Sequence, residues 1–166
     1  MQTNYETERL SLSQLNLTDS KFISELVNTP EWIKFIGDRN INNDEDARAY
    51  IQRLIDNPNI NYWVVRKSDE QIPIGIVTFI KRDYLEHHDI GFAFLTKHTK
   101  QGYAFEATSA VLNDLKNDAA HSQILATTIK ENINSIQLLE KLGFRFDREI
   151  KVEDEMLLVY SISTNK

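Results

Sequence analysis

The sequence predicts a single mixed α/β (α+β) domain over residues 1–166, built on a mostly antiparallel central sheet of about seven strands with helices on both faces. Three observations predict it. After two helical patterns, the hydrophobic period changes to that of strands beyond residue 57. Three β-rich runs then follow one another across short polar turns, as antiparallel neighbours do. Further on, a helical segment stands between two β-rich runs, the arrangement of a parallel crossover connection.

Each element has a local reason. In "RLSLSQL", residues 9–15, Leu10 and Leu12 alternate with serines, the pattern of a half-buried strand. "TDSKFISELVN", residues 18–28, offers Thr18 or Asp19 as an N-cap and sets Phe22, Ile23 and Leu26 on one helical face. In residues 43–57 acidic side chains fill a first helical turn, and Ala47, Tyr50, Ile51, Leu54 and Ile55 form the apolar stripe. "NYWVVRK", "IPIGIVTFIKRD" and "HHDIGFAFL" are three successive strands, with Gly75 and Gly91 marking bulges or close backbone approaches. A helix over about 103–116 turns Ala107, Ala110, Val111 and Leu115 inward. "SQILATTI" is again β-rich, and a helix over about 134–142 ends at Gly143. "FRFDREIK" and "EMLLVYSIS" close the chain as an antiparallel pair.

With 41% hydrophobic and 27% charged residues, the chain has the make-up of a soluble globular domain. Its length suffices to bury roughly 70% of the surface exposed on unfolding. No apolar run approaches the ~20 residues of a membrane span, and "MQTNYETERL" lacks the apolar core of a signal peptide; a cytoplasmic location is therefore expected. The absence of cysteine excludes disulfides, thiolate metal sites and a cysteine nucleophile. A net charge of −6 without a dense basic stripe disfavours nucleic acid as a partner.

Two stretches carry chemistry. "HTKQGYA", residues 98–104, joins a strand to a helix, whose first N–H groups lack internal partners and sit at the positive end of the dipole. Gly102 would let a phosphate approach the backbone without meeting a Cβ. It fits neither a Walker loop nor the dinucleotide fingerprint, having too few glycines, and taken alone it reads better as a plain strand–helix turn. In "NINSIQLLEKLGF", residues 132–144, Asn134 can cap the helix with Gln137 as its capping-box partner, a role that requires neither Asn132 nor Ser135.

Together, in this order and about 30 residues apart, the two stretches resemble the GNAT superfamily of acyl-CoA N-acyltransferases. "TKQGYA" is similar to its coenzyme A loop, and "NINSIQLLEKLGF" to its N-x-x-S…L-x-K-x-G-F segment. "TERLSLSQL", "DIGFAF" and "GYAFEA" narrow the resemblance to the Rim-type branch, which includes N-terminal acetyltransferases of ribosomal proteins. It covers roughly residues 7–161. Thr99 departs from the family's usual Gln or Arg, which predicts a weaker but retained grip, while Lys100, in place of a common small residue, can add attraction to a phosphate.

The resemblance implies acetyl-CoA as cosubstrate, no metal, and direct attack by an amine in a ternary complex. It implies contacts to the cofactor from Phe94 and Leu95 (main chain, meeting the oxyanion), Lys100, Gln101, Gly102, Tyr103, Ala104 and Asn132. Ser135 is similar to the serine that serves the departing thiolate; no tyrosine stands between Ser135 and Arg148, which favours the serine over the alternatives Tyr103 and Tyr160. Within "EHHD", Glu86 and Asp89 are the candidate bases beside His87 and His88, and strand alternation lets at most alternate members face one site. The acceptor could be a protein N-terminus, a polyamine, an aminoglycoside or a small metabolite. The acidic "NNDEDARAY" is compatible with a cationic one. The protein is expected as a monomer or homodimer. A CoA-binding sensor or regulatory module on the same fold is the alternative.

Overall fold

Strand and helix periods alternate along the chain as the sequence requires, and the computed structural model, which describes residues 1–164, assembles them around one eight-stranded sheet. The elements are β1 (Asn4–Glu6), β2 (Leu10–Gln14), α1 (Ser20–Val27), α2 (Pro30–Phe35), α3 (Asp44–Asp56), β3 (Ile60–Lys67), β4 (Pro73–Ile80), β5 (Asp89–Phe94), α4 (Tyr103–Lys116), β6 (Gln123–Thr128), α5 (Ile133–Lys141), β7 (Arg145–Val152) and β8 (Glu155–Ser163). The spatial order is β1-β2-β3-β4-β5-β6-β8-β7. Every neighbouring pair is antiparallel except β5 and β6, which are parallel across the α4 crossover. The expected mixed sheet is thus found, with helices on both faces.

Alternate residues of the central strands feed two cores. Trp63, Val65, Val77, Phe79 and Ile90 pack with Ala107, Val111, Leu112 and Leu115 of α4. Tyr62, Val64 and Ile76, on the opposite face, pack with Ile23 and Leu26 of α1 and with Ala47 and Ile51 of α3. Ile55, expected in the α3 stripe, is 46% exposed; it sits beyond the edge of the buried arc.

Two elements exceed the expected set. β1 has three residues, and pairing of Tyr5 with Leu12 extends the sheet by one strand. α2 has six residues: Thr29 caps it by accepting the Trp32 N–H at 3.3 Å, and Pro30 occupies its first turn. The first helix is preceded by a 3₁₀ turn, Leu17–Asp19, capped by Asn16, so neither Thr18 nor Asp19 caps α1 with its side chain. Gly75 marks a close approach, as expected: a Cβ there would stand 2.3 Å from the Phe94 ring.

The decisive irregularity lies beside β5. On one side it pairs with β4 over its length, from Gly75↔Phe94 to Ile80↔Asp89. On the other it meets β6 at one register point, Asp89↔Leu125, where the Leu125 N–H donates to the His88 carbonyl at 3.0 Å. Beyond that point the two strands diverge.

Candidate active site

A cleft of about 440 Å³ opens where β5 and β6 part. Gly91, Phe92 and Ala93 line it from β5, Ala126, Thr127 and Thr128 from β6, and Asn132 and Ser135 from the start of α5. Backbone polarity follows from the β4 ladder. The Leu95 N–H donates to the Ile74 carbonyl at 2.9 Å, so the alternate N–H groups of Phe92 and Phe94 point away from β4, toward the splay. The Leu95 donor expected to meet an oxyanion is therefore already committed to the sheet.

Asn132, not Asn134, caps α5. Its side-chain oxygen accepts the Ser135 N–H at 3.3 Å and its carbonyl accepts the first helical bond, from the Ile136 N–H. The helix begins at Ile133, one residue earlier than expected, which puts Asn134 inside it. The cap uses only the backbone of Ser135. Its hydroxyl makes no hydrogen bond among the described residues and faces the cleft.

Asp89 is the one expected base that reaches the cleft. It is 3% exposed, held by the Arg82 Nε at 3.3 Å and by the Thr127 hydroxyl at 3.3 Å. Burial raises its pKa above the ordinary aspartate value, against the opposing pull of Arg82 and the Thr127 hydrogen bond. Glu86 does not line the cleft. Its half-exposed carboxylate is gripped by the Arg148 Nη2 at 2.8 and 2.7 Å, and its own backbone N–H, with Arg148, holds its pKa below the usual range. A low-pKa carboxylate in an ion pair is a poor base. His88 stacks on Phe79 with its ring centroid 4.8 Å away, beside His121, and lies outside the cleft lining. Among the described residues no three His, Asp or Glu side chains are grouped to hold a metal ion.

The remaining expected contact residues form a ledge running from the end of β5 to the start of α4. Lys100 (φ 61°) and Gly102 (φ 83°) turn the chain there in left-handed conformations. No side chain caps α4, and its first helical bond is accepted by Gly102 from Glu106, so the N–H groups of Tyr103, Ala104 and Phe105 have no intrahelical acceptor. Thr99 spends its hydroxyl on the Thr96 carbonyl at 2.7 Å.

An unforeseen contact fixes this ledge to the turn between β1 and β2. Glu106 accepts from the Thr7 hydroxyl at 2.6 Å, the Arg9 N–H at 3.0 Å and the Arg9 Nε at 2.9 Å. Arg9 also donates to the Gln101 carbonyl at 3.0 Å and covers the Tyr103 ring at 4.5 Å. The Tyr103 side chain is consequently buried beneath Arg9, leaving its backbone as the part that can face a ligand. Thr7, Arg9 and Glu106 all stand in the quoted motifs, but nothing local in the sequence pairs residues 97 positions apart.

A family model described as an acetyltransferase (GNAT) domain matches residues 9–145. The uncharacterized N-acetyltransferase YnaD of Bacillus subtilis is 28% identical over 139 residues, which cover 84% of this chain and 81% of that protein. The crystal structure of a GNAT-family acetyltransferase from Bacillus anthracis superimposes with a TM-score of 0.81 at 25% identity, covering 97% of this chain and 98% of the other. A spermidine N-acetyltransferase from Vibrio cholerae, solved with CoA and spermine, has a TM-score of 0.79 at 18% identity over 95% and 97% of the two chains.

Proposed function

The chain belongs to the GNAT family of acetyl-CoA-dependent N-acetyltransferases, and from that premise we propose that it acetylates a primary amine by direct attack in a ternary complex formed in the β5–β6 cleft. The observation that carries the reading is the convergence of Asp89, Ser135 and the outward N–H groups of Phe92 and Phe94 on one splay.

The residues suit acetyl-CoA. The uncapped start of α4 offers unpaired N–H groups and the positive end of a 14-residue helix to a pyrophosphate, and Lys100 adds a cation beside it. Bound acetyl-CoA supplies the thioester carbonyl that an amine can attack and the thiolate that leaves.

Each residue then has a task. Asp89 takes the proton that the nitrogen sheds once its lone pair is committed to the new C–N bond. Burial favours this, because it strengthens the carboxylate as a base. Thr127 and Arg82 hold that carboxylate in place. One of the Phe92 and Phe94 N–H groups, which stand about 7 Å apart along β5, stabilises negative charge developing on the carbonyl oxygen, and such a donor typically contributes ~3 kcal/mol. Ser135 donates its free hydroxyl to the leaving sulfur, at a helix N-terminus that itself favours negative charge.

Acetyl-CoA incubated with a panel of primary amines should release free thiol and yield products heavier by one acetyl group. Tight CoA binding with no acetylated amine anywhere in the panel would instead support a CoA-binding regulatory module.

A further inference from the structure

Away from Ser135 the cleft continues over the α2–α3 face of β3 and β4, and its chemistry changes there. The wall is apolar and aromatic, including Phe35, Tyr50 and Ile60. Two residues of this wall carry buried polar groups: the Trp32 indole N–H, without a partner among the described residues, and the Tyr62 hydroxyl, which stands beside the Tyr50 side chain without a close hydrogen bond. Both residues are more than nine-tenths buried, at 6% and 8% exposure. Buried donors are nearly always matched, so an indole N–H without an acceptor, on a residue that lines this recess beside the Tyr62 hydroxyl, points to an acceptor atom that arrives with a ligand.

A cation joins them. Arg39 lines the recess, lies over the Trp32 ring at 5.7 Å, and forms no ion pair among the described residues. Burial keeps the Tyr62 phenol well above its ordinary pKa, with Tyr50 reinforcing and Arg39 opposing, so the hydroxyl is a neutral donor. The carboxylates that line the cleft are Asp89 and Glu155. Asp89 is engaged by Arg82, which lines the same cleft. The acidic turn of α3 is used elsewhere: Asp44 accepts from Ser20 and Asp46 from the Asn42 N–H, and neither lines the cleft. A polyamine would find too few anions here for its several charges.

We propose that this recess receives a carboxylate carried by the acceptor, so that the substrate is an amine with an apolar body and an anionic end. Arg39, the Trp32 indole N–H and the Tyr62 hydroxyl bind the carboxylate, while the amine is presented toward Asp89. Tyr62 stands abreast of Thr78 and Gly91 in the sheet, with Asp89 two residues farther along β5. Strand spacing and rise separate the two backbones by about 12 Å, room for an apolar segment between the charged ends. The inference rests on the acetyl-transfer reading of the same cleft.

The test uses 3-phenylpropionate, a carboxylate without an amine, titrated into the ¹⁵N-labelled chain. Its two tryptophans report separately, because Trp63 faces the other core and serves as the internal reference. The expected result is a saturable shift of the Trp32 indole resonance that Arg39→Gln removes. In parallel, thiol release should show kcat/KM at least about tenfold higher for 6-aminohexanoate than for hexylamine, or for phenylalanine than for phenethylamine. Arg39→Gln and Tyr62→Phe should collapse that ratio. An unmoved Trp32 resonance, or one that moves equally in Arg39→Gln, overturns the assignment whatever the amines do. So does turnover in which spermidine outpaces both carboxylate-bearing amines. A Trp32 shift lost in Arg39→Gln, in a protein that acetylates no amine at all, upholds the carboxylate site and removes the acetyl-transfer reading instead.

Discussion

The side-chain oxygen of Asn132 accepts the backbone N–H of Ser135 at 3.3 Å, so the residue that starts α5 also sets the position from which the Ser135 hydroxyl enters the cleft. Stability and chemistry therefore separate by residue. Ser135→Ala keeps the N–H that the cap uses, and its melting temperature should match the parent. Its turnover should fall by about ten- to a hundredfold, the lower end of what a positioned proton donor contributes. Asn132→Ala should cost ~0.5–2 kcal/mol of stability, read from denaturant unfolding, and lower turnover as well. Normal thiol release by Ser135→Ala would remove the serine from the chemistry.

How far the sequence reveals this arrangement depends on the range over which each signal acts. Elements long enough to show several periods, such as α3, α4 and the β3–β5 meander, are legible because alternation and the 3.6-residue repeat report burial directly. β1 and α2 are too short for that, although Thr29 followed by Pro30 is a readable helix start. "NIN" contains two residues able to cap, and only the helix geometry selects Asn132 over Asn134. The loop and serine motifs are contiguous and hence visible. The partners of Asp89, the Arg9–Glu106 clasp and the buried Trp32 and Tyr62 donors arise from chain crossings, and no local pattern encodes them.

Ala104→Glu tests the pyrophosphate ledge without straining the left-handed turn at Gly102. A carboxylate in the first turn of α4 complements the dipole and should leave stability unchanged or raise it by ~0.3–1 kcal/mol. Near a pyrophosphate the same charge repels. Like charges ~4 Å apart cost ~1–4 kcal/mol between bulk water and a protein surface, so CoA affinity by calorimetry should drop about fivefold or more. Undiminished affinity in a folded variant would move the phosphates to another part of the surface.

Arg9 and Glu106 should behave as one positioning unit. Arg9→Gln frees the Gln101 carbonyl and loosens the ledge while touching neither Asp89 nor Ser135. The expected effect is a rise in KM for acetyl-CoA of about two- to tenfold, the range that one net hydrogen bond represents, with kcat little changed. Glu106→Gln should act in the same direction, and the double variant should cost less than the sum of the two. Strict additivity would show that the two side chains act independently.

As the proposed base, Asp89 should set the pH dependence, and its sign follows from burial. The pKa of the folded state lies above that of the unfolded chain, so the native protein holds this proton longer. Its stabilising contribution is largest below the unfolded value of about 3.9 and is lost as pH rises through the folded value. At neutral pH the carboxylate is a buried charge, only partly offset by Arg82 and Thr127. Asp89→Asn removes that cost, so its melting temperature at pH 7 should equal or exceed that of the parent, and its stability should vary less across the acidic range. Turnover should nonetheless fall by about 10²–10⁴-fold, and the parent's kcat/KM should decline on the acid side at a pH above the ordinary aspartate range. Stable protein with the activity and acid limb of the parent would leave Asp89 only a structural part, and would assign amine deprotonation to solvent.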